Sequence, residues 1–576
     1  MATRERQIST TVLVIGTGGS GLRAAIEIAE HGVDVLAVGK RPRQDAHTSL
    51  AAGGINAALG TMDADDSWQQ HAADTIKESY LLANPHTVEI VTQGAERGIR
   101  DLERWGMDFA REDDGRISQR FFGAHTFRRT AFAGDYTGLE IQRTLVRKAE
   151  QLDVPILDHV YITRLLVRDN VVFGAYGFDQ ADGTRYLIHA DAVILAAGGH
   201  NRIWRRTSSR RDENTGDSFR LAVDAGARLR DPELVQFHPS GIIEPESAAG
   251  TLISEAARGE GGILLNALGE RFMAKYDPER MELSTRDRVA LAAYTEIKEG
   301  RGTENGGVWL DVSHLPRETI MTRLPRVYQT MMELQMLDIT TDPIEIAPTA
   351  HYSMGGVWVR PEDHQTDVEG LYAIGEASSG LHGANRLGGN SLIELLVYGR
   401  IVGQAAMEHA AGLDAQRRSA TAVAEARAEI DDLLAAEGRE NVRALQRAIR
   451  NLMTEYAGVV RYEEGLLAGL ADLDMIEGRM EDIGIHPDIA GFQDLAHAFD
   501  LKASALAARA TLEAALERRE TRGCHNRSDF PDTDPTLQVN LVWSPTAGVT
   551  REEIPEVAPE IAELMREVDT EGKLVE

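Results

Sequence analysis

A chain of 576 residues is too long for one ordinary hydrophobic core, so we expect two or three packed units. A hydrophobic fraction of 43% with 6% aromatic residues is typical of a folded globular protein. The formal net charge of −30 argues against nucleic acid or an anionic lipid surface as a partner, because this charge would repel both.

Cysteine usage limits the chemistry further. Cys524 is the only cysteine in the sequence, so the chain cannot hold an internal disulfide framework or a multi-thiolate iron–sulfur site. This usage indicates a reducing compartment. No apolar run approaches the length of a membrane span or a signal-peptide core. The sequence therefore predicts that any membrane association comes through another subunit.

The chain begins with the pattern of a strand, a turn, a helix and a second strand. A β-branched run over residues 10–15 is followed by a glycine-rich turn, a helical stretch at 22–30 and an apolar run at 33–38. Two more buried strands that end in glycine are predicted at 190–197 and 371–374. Their separation along the chain predicts one nucleotide-binding sheet that is interrupted by an insertion.

The composition divides the chain into five segments. Beyond residue 412 it becomes rich in Ala, Glu, Arg and Leu with helical spacing, and four prolines mark the final segment. We predict a nucleotide-binding domain in two parts, an inserted capping domain, a helical domain, and an extended tail with one short terminal helix. Their respective bounds are 1–231 and 349–412, 232–348, 413–530, and 531–576.

The glycine-rich turn predicts dinucleotide binding. Gly16 permits a tight turn, Gly18 and its neighbour Gly19 let the backbone approach a pyrophosphate, and Gly21 allows close packing of helix on strand. The second strand ends in Lys40, whereas a nicotinamide-binding unit usually has an acidic residue there for the ribose. NAD is therefore disfavoured, and Lys40 is either a cofactor contact or a solvated lysine at a strand end.

A longer set of motifs resembles the flavoprotein subunits of succinate dehydrogenase and fumarate reductase, from about residue 10 to residue 531. The segment at 46–57, Ala-His-Thr-Ser-Leu-Ala-Ala-Gly-Gly-Ile-Asn-Ala, is similar to the flavin-linking segment of that family. Other blocks in the family order are Thr-Gly-Asp at 215–217, Gln-Phe-His-Pro at 236–239, the segments at 254–262, 286–287, 348–352 and 382–392, and Glu-Thr-Arg-Gly-Cys-His at 520–525.

The resemblance implies an α/β fold, in which a Rossmann-like FAD-binding domain with an inserted α+β capping domain precedes the C-terminal helical domain. It implies FAD linked covalently through His47, a bond that would raise the flavin potential and so suit succinate, a poor reductant. The other residues implied to contact FAD are Thr48, Gly53, Gly54, Gly198, Asp217, Glu376, Ser391 and Leu392. Asp217 is equally well explained as the N-cap of a helix.

Succinate and fumarate are the substrates that the resemblance implies. Arg386 and His351 correspond to residues that hold one carboxylate, and His238 and Ser254 to residues that hold the other. An arginine suits this role because its planar fork meets a carboxylate through two hydrogen bonds and stays charged.

The same resemblance assigns the proton transfer. Arg286 aligns with the residue that handles the proton on the side of the substrate away from the flavin, and Glu255 and Arg258 resemble the relay from solvent. An alternative stays open for Glu255 and Arg258, because residues three apart on a helix also form ordinary ion pairs.

Two departures from the family pattern stand out. Ala52 occupies a position that usually holds Gln or Glu in bacterial members, so the sequence leaves the preferred direction of catalysis open. Ser254 replaces a commoner threonine and keeps the hydroxyl group.

Two rival functions are weaker. An L-aspartate oxidase would lack the linking histidine and would place a carboxylate for the substrate ammonium where this chain has Phe122, and an apolar ring cannot neutralise that charge. A catalytically silent FAD-binding scaffold would have no reason to keep His238, Arg286, His351 and Arg386 together.

The single cysteine also implies partners. Since the chain cannot hold an iron–sulfur relay, the resemblance implies a separate iron–sulfur subunit, with membrane-anchor subunits and quinone beyond it. The expected location is the cytoplasm, peripheral on the inner face of the cell membrane through those subunits.

Overall fold

The computed structural model describes residues 4–487 and 491–566. Its central feature is a mostly parallel sheet that the sequence predicted from its first strands. Across the described residues the strand order is Ile156–Leu157, Val35–Val38, Glu5–Ile15, Arg185–Leu195, Val171–Asp179 and Val160–Arg168, and Leu371–Ala373 also pairs with Arg185–Leu195.

Pairing is parallel at the centre of this sheet. Val12 lies opposite Val35 on one side and Ala192 on the other, and Leu371 lies opposite Val193. The last two strands of the order, which include Val160–Arg168, pair antiparallel. Because Leu371–Ala373 joins a sheet whose other strands precede residue 196, the intervening segment is an insertion, as predicted.

Both faces of the sheet are buried. Along the first strand Val12 and Val14 pack into one hydrophobic core, whereas Leu13 and Ile15 pack into another. A strand covered on both sides becomes a continuous apolar run, and residues 12–15 form such a run. The helices in this part of the chain are Gly19–Glu30, Trp68–Glu78, Pro85–Arg104, Thr137–Gln151, Asp217–Ala225 and Asn390–Gly412.

The inserted segment forms its own antiparallel sheet with its own core. The strand order is Val235–Ile242, Ile344–Ser353, Val308–Asp311 and Ile263–Leu265. Its helices are Ala256–Gly259, Met273–Tyr276, Arg286–Glu296, Arg317–Arg323 and Pro325–Gln335. This α+β unit agrees with the predicted capping domain, although the strand Ile344–Ser353 continues past the predicted boundary at residue 348.

The C-terminal part is helical, as expected. Its long helices are Ala420–Leu434, Val442–Tyr456, Glu463–Met480 and Gln493–Glu517, and the third of these was not predicted from the sequence. The short strands Glu440–Asn441 and Ile483–Gly484 pair with each other, as do Val460–Arg461 and Asn526–Arg527.

The predicted tail contains more structure than its prolines indicate. A hairpin of Val539–Ser544 and Gly548–Glu553 pairs with Leu229–Arg230, which in turn pairs with Gly356–Val357. The short helix Pro559–Leu564 follows, and residues 567–576 of the predicted tail lie outside the described residues. A further small sheet joins Ile55–Asn56, Thr130–Ala131 and Gln119–Arg120. Within the described residues, no helix is long and apolar enough to cross a membrane.

Candidate active site

A cavity of about 1440 Å³ brings the nucleotide turn and the predicted substrate residues together. It is larger than the roughly 300–1,000 Å³ of a typical small-molecule pocket, so a dinucleotide and a small substrate fit side by side. The predicted residues on its wall are Gly16, Gly18, Gly19, Lys40, His47, Thr48, Gly53, Gly54, Gly198, Asp217, His238, Ser254, Glu255, Arg286, His351, Glu376, Arg386, Ser391 and Leu392. Gly21 and Arg258 are not on that wall.

The glycine turn has the close packing that the sequence predicts. Gly16 has φ +118°, and a Cβ atom there would lie 2.1 Å from the Ala196 carbonyl oxygen. A Cβ atom at Gly21 would lie 2.0 Å from the Gly16 oxygen, so this glycine lets the helix Gly19–Glu30 start against the strand. The Gly19 N–H donates to Thr48 Oγ1 at 3.0 Å, which ties the predicted flavin-linking segment to the turn.

Lys40 is neither exposed nor solvated, so the alternative of a solvated strand-end lysine is wrong. Its Nζ lies 2.6 Å from Asp217 Oδ2 and 3.3 Å from Asp500 Oδ1, and the Tyr161 hydroxyl donates to Asp217 and Asp500. Burial lowers the pKa of Lys40, but the two carboxylates outweigh it and raise this pKa above its usual value. The N-cap alternative for Asp217 is also wrong, because Gly216 is the N-cap and Asp217 is the first helical residue.

Glu376 lies at the end of the strand Leu371–Ala373, as the sequence predicts. Its Oε1 accepts hydrogen bonds from the Ser353 N–H at 3.0 Å and the Asn201 amide at 3.2 Å. Burial raises the pKa of this carboxyl group. Ser391 and Leu392 lie in the first turn of the helix Asn390–Gly412, so the positive end of the helix dipole faces the cavity.

The structure fits FAD by its donor set and shape. Glycine backbone and a helix N-terminus form the kind of cradle that binds a pyrophosphate, and a Cβ atom at Gly198 would lie 2.2 Å from Asn214 Oδ1. Gly54 has φ +134°, and a Cβ atom there would lie 2.5 Å from Thr130 Cγ2, so both positions require glycine. Gly53 makes room for the ring of Phe122, whose Cζ would lie 2.8 Å from an added Cβ.

Two guanidinium groups converge on one amide oxygen at the substrate end of the cavity. Arg386 Nη2 donates to Gln236 Oε1 at 3.0 Å, and Arg286 Nη1 donates to the same oxygen at 3.3 Å. Arg386 also donates to Ser391 Oγ at 2.7 Å and stacks over the Tyr352 ring at 4.2 Å. Two positive groups held this close favour a negatively charged ligand.

Arg386 forms no ion pair with any carboxylate in residues 4–487 and 491–566. It is 5% exposed, and its Nε has no hydrogen-bond partner there. Burial and the neighbouring Arg286 lower its pKa to about 10. An anion bound beside it would relieve both effects, so this arginine is suited to a ligand carboxylate.

Arg286, by contrast, is paired. Its Nε donates to Glu255 Oε2 at 2.8 Å, and Arg258 Nη2 lies 3.7 Å from the same oxygen. Burial raises the pKa of Glu255, but Arg286 and Arg258 outweigh this effect and lower the pKa to about 2. Arg258 lies behind Glu255 and donates to the Glu282 carbonyl oxygen at 2.6 Å. The ion-pair alternative for Glu255 and Arg258 is therefore present, and the same pair connects to Arg286.

The two predicted histidines face each other with ring centroids 5.4 Å apart. The Ser240 N–H donates to His238 Nδ1 at 3.2 Å, which leaves Nε2 to carry the ring proton. His351 Nδ1 lies 2.9 Å from Ser208 Oγ. Burial and the nearby arginines hold the pKa of both histidines well below the usual value, so both are neutral near pH 7. Ser254 Oγ accepts from the Ala256 N–H at 3.2 Å, which leaves its own proton free to donate.

The residue roles predicted from sequence omit Gln236, the bridge between the two arginines. Its amide Nε2 donates to Asn385 Oδ1 at 2.8 Å and to the Arg386 carbonyl oxygen at 3.1 Å, so Gln236 also orients the Arg386 loop. Gln236 stands two residues before His238 on one strand, and this spacing is the signal that could have indicated it. Glu213, which contacts His47, has no such signal in the sequence.

Arginines also surround the mouth of the cavity. Arg202, Arg205, Arg211, Arg447 and Arg450 line it, and none of them forms an ion pair in the described part of the chain. Burial, with Arg450 and Arg211 nearby, lowers the pKa of Arg202 to about 10. The acidic chain thus has a positively charged entrance.

Comparison with known proteins identifies the family. The FAD binding domain model matches residues 11–392, and the model of the fumarate reductase flavoprotein C-terminus matches residues 446–564. A subunit of the fumarate reductase (CoM/CoB) of Methanothermobacter marburgensis is 41% identical over 92% of this chain and 96% of that protein. The chain belongs to the succinate dehydrogenase and fumarate reductase flavoprotein family.

Other relatives agree with this assignment. The succinate dehydrogenase flavoprotein subunit of Rickettsia bellii is 36% identical over 90% of each chain. Among solved structures, Mycobacterium smegmatis Sdh1 in complex with UQ1 superimposes with a TM-score of 0.88 at 36% identity over 96% of each chain. E. coli quinol fumarate reductase FrdA does so with a TM-score of 0.91 at 31% identity, over 96% of this chain and 99% of that one. The protein is thus an FAD-dependent oxidoreductase with the predicted fold.

Proposed function

We propose that this chain is the flavoprotein subunit of an enzyme that interconverts succinate and fumarate. The observation that supports this most strongly is the pair of buried guanidinium groups, Arg286 and Arg386, which share Gln236 Oε1 on the wall of the nucleotide cavity. A site for a small dicarboxylate next to a flavin requires fixed positive charge of this kind.

Each end of the substrate has its own set of donors. Arg386 and His351 bind one carboxylate, and the Nε2–H of His238 and the Ser254 hydroxyl bind the other. Because both histidines are neutral, they donate hydrogen bonds without adding charge to the arginine cluster. Holding both ends fixes the central carbon–carbon bond against the flavin.

Arg286 transfers the proton. Its guanidinium lies between Glu255 and the amide of Gln236, and a proton that it gives up is replaced through Glu255. Arg258 keeps Glu255 ionised, so that this carboxylate accepts a proton only as one is passed on. Bound FAD supplies the hydride chemistry.

FAD binds along the glycine turn and is linked covalently through His47. Thr48 and Gly19 hold the flavin-linking segment against the pyrophosphate cradle, and Glu376 and Lys40 lie further along the same cavity. The amide groups at the start of Asn390–Gly412 stabilise negative charge on the reduced ring.

The electrons leave through partner subunits. With Cys524 as its only cysteine the chain cannot hold a thiolate-bound cluster, so a separate iron–sulfur subunit receives them. Membrane-anchor subunits and quinone complete the assembly, and they hold this chain at the inner face of the cell membrane.

Phe122 supports a dicarboxylate over aspartate. Its ring lies on the cavity wall under Arg286, whose guanidinium carbon is 5.7 Å from the ring centroid. An aspartate oxidase would need a carboxylate at this place for the substrate ammonium.

The test is electron transfer from succinate to an artificial acceptor. We expect the purified chain to reduce the dye with succinate but not with aspartate, and an Arg286→Gln variant to bind FAD and dicarboxylate yet lose turnover by at least 1,000-fold, the order of a lost acid–base catalyst. Arg288→Gln is the matched control, because Arg288 is on the same helix with a side chain 59% exposed. Activity with aspartate alone, or a fully active Arg286→Gln variant, would contradict the proposal.

A further inference from the structure

His47 is in contact with a carboxylate that no family motif in the sequence indicates. Its Nδ1 lies 2.8 Å from Glu213 Oε1, and the two residues are 166 positions apart in the chain. Both side chains line the FAD cavity. The contact joins the short 3₁₀ helix His47–Leu50 to the loop before Asp217–Ala225.

Glu213 is held in place by its own loop. The Arg210 N–H donates to Glu213 Oε1 at 2.8 Å, and the Arg210 guanidinium lies 3.9 Å from Oε2. The Glu213 side chain is 8% exposed, and its Oε2 makes no hydrogen bond within the described residues. The carboxylate is thus fixed with one oxygen on His47 and the other unpartnered.

The electrostatics of the pair are mutual. Burial would raise the pKa of Glu213, but His47 and the Arg210 backbone lower it to about 2, so the group is a carboxylate at any physiological pH. Burial would lower the pKa of His47, and Glu213 raises it above its usual value instead. A more basic imidazole is also a better nucleophile.

The hydrogen bond also selects the tautomer. A carboxylate can only accept, so the proton of the neutral imidazole stays on Nδ1, and Nε2 keeps its lone pair. Without Glu213 the proton would exchange between the two nitrogens, and Nε2 would be available for only part of the time.

We propose that Glu213 is the positioning residue for flavin attachment at His47, holding the ring through Nδ1 so that Nε2 reaches the methyl group of the flavin. This inference rests on the covalent linkage in the proposed function. In the attachment, the bond from Nε2 to the methyl carbon forms and one C–H bond of that methyl group breaks. The proton leaves to solvent, and the electron pair stays on the ring system, which fumarate or dioxygen then reoxidises.

The test separates charge from shape. Glu213→Gln keeps the length and an acceptor oxygen but removes the charge, and Glu213→Leu removes both. Asp212→Asn is the matched control, because Asp212 is the neighbouring carboxylate, with its side chain 39% exposed and paired with Arg41 at 3.6 Å. His47→Ser gives the value for no attachment.

Each protein is expressed, denatured in acid, and separated into pellet and supernatant; flavin fluorescence and peptide mass give the covalent fraction in the pellet, and total FAD gives the occupancy. Apoprotein incubated with FAD gives the rate of attachment. We expect Glu213→Gln to bind FAD as wild type does and to attach it at least tenfold more slowly, Glu213→Leu to attach less still, and Asp212→Asn to match wild type.

Equal attachment rates in wild type and Glu213→Gln, at equal FAD occupancy, would overturn the inference. So would a wild-type protein that carries FAD without any covalent bond. In that second case reduction of the dye by succinate still tests the proposed function separately, because turnover with succinate does not require the bond.

Discussion

The amide of Gln236 offers the sharpest test of the anion site. Substituting Gln236→Glu changes one NH₂ group into an oxygen and places a negative charge within hydrogen-bond distance of both Arg286 and Arg386, whose nitrogens lie 3.3 and 3.0 Å from Gln236 Oε1. The protein then contains its own carboxylate where the substrate carboxylate is proposed to bind.

The magnitude follows from Coulomb's law. Two carboxylates on the same guanidinium pair would be about 6 Å apart, and with an effective dielectric constant of about 20 their repulsion is about 3 kcal/mol. We therefore expect the Kd for a dicarboxylate to rise on the order of 100-fold. The folded protein should become more stable, because Arg386 gains the carboxylate partner that it lacks.

The assay is titration with malonate, a dicarboxylate that cannot be dehydrogenated, followed by the absorbance of bound flavin or by calorimetry. Gln236→Met is the control, because it removes the amide without adding charge. If Gln236→Glu binds malonate within threefold of wild type, the two arginines do not form the dicarboxylate site. If the Glu and Met variants weaken binding equally, the amide contacts matter and the charge does not.

Three further outcomes are expected. Lys40→Met should lower Tm by several degrees, because it leaves Asp217 and Asp500 buried without a cation, a change that costs about 3–5 kcal/mol, and adding Asp500→Asn should restore part of the loss. His200 is neutral in the folded protein because burial lowers its pKa to about 3, so stability falls as pH drops below about 6.5, where the unfolded chain binds this proton; His200→Gln should reduce the loss between pH 7.5 and 5 by about 2 kcal/mol, measured by urea unfolding. Raising ionic strength from about 0.05 to about 0.5 M, which shortens the Debye length about threefold, should raise KM for fumarate and leave kcat unchanged; Arg205→Gln with Arg211→Gln and Arg447→Gln should abolish that dependence, and an equal salt effect in the triple variant would show that the entrance arginines do not steer substrate.

The parts of the site predicted from sequence are those defined by local chemistry. A glycine that must approach Ala196 within van der Waals distance leaves a fixed pattern, as Gly16 does, and a strand buried on both faces is visible as an apolar run at residues 12–15. The insertion was also visible, because the strand Leu371–Ala373 ends in glycine like its neighbours in the sheet.

Long-range pairing is what the sequence could not give. The partner of Lys40 includes Asp500, which is 460 residues away on the helix Gln493–Glu517, and nothing local to either residue indicates the other. The Glu213 contact with His47 is equally distant from any motif. The hairpin at Val539–Ser544 was missed because its prolines lie outside the strand and the strand is stabilised by pairing with Leu229–Arg230.

The distribution of charge explains how an acidic protein can bind a dianion. The chain has a formal charge of −30, and a dicarboxylate that approaches it is repelled except where arginine is concentrated. The two arginines of the site come from different units: Arg286 begins a helix of the capping domain, and Arg386 precedes the helix Asn390–Gly412 of the FAD-binding domain. In the absence of substrate their mutual repulsion is reduced only by Gln236 and by Glu255. A dianion that binds both relieves this repulsion and draws the two units together, whereas a monocarboxylate can satisfy one end alone. Selectivity for a two-headed anion therefore follows from placing the charges on opposite sides of the cavity.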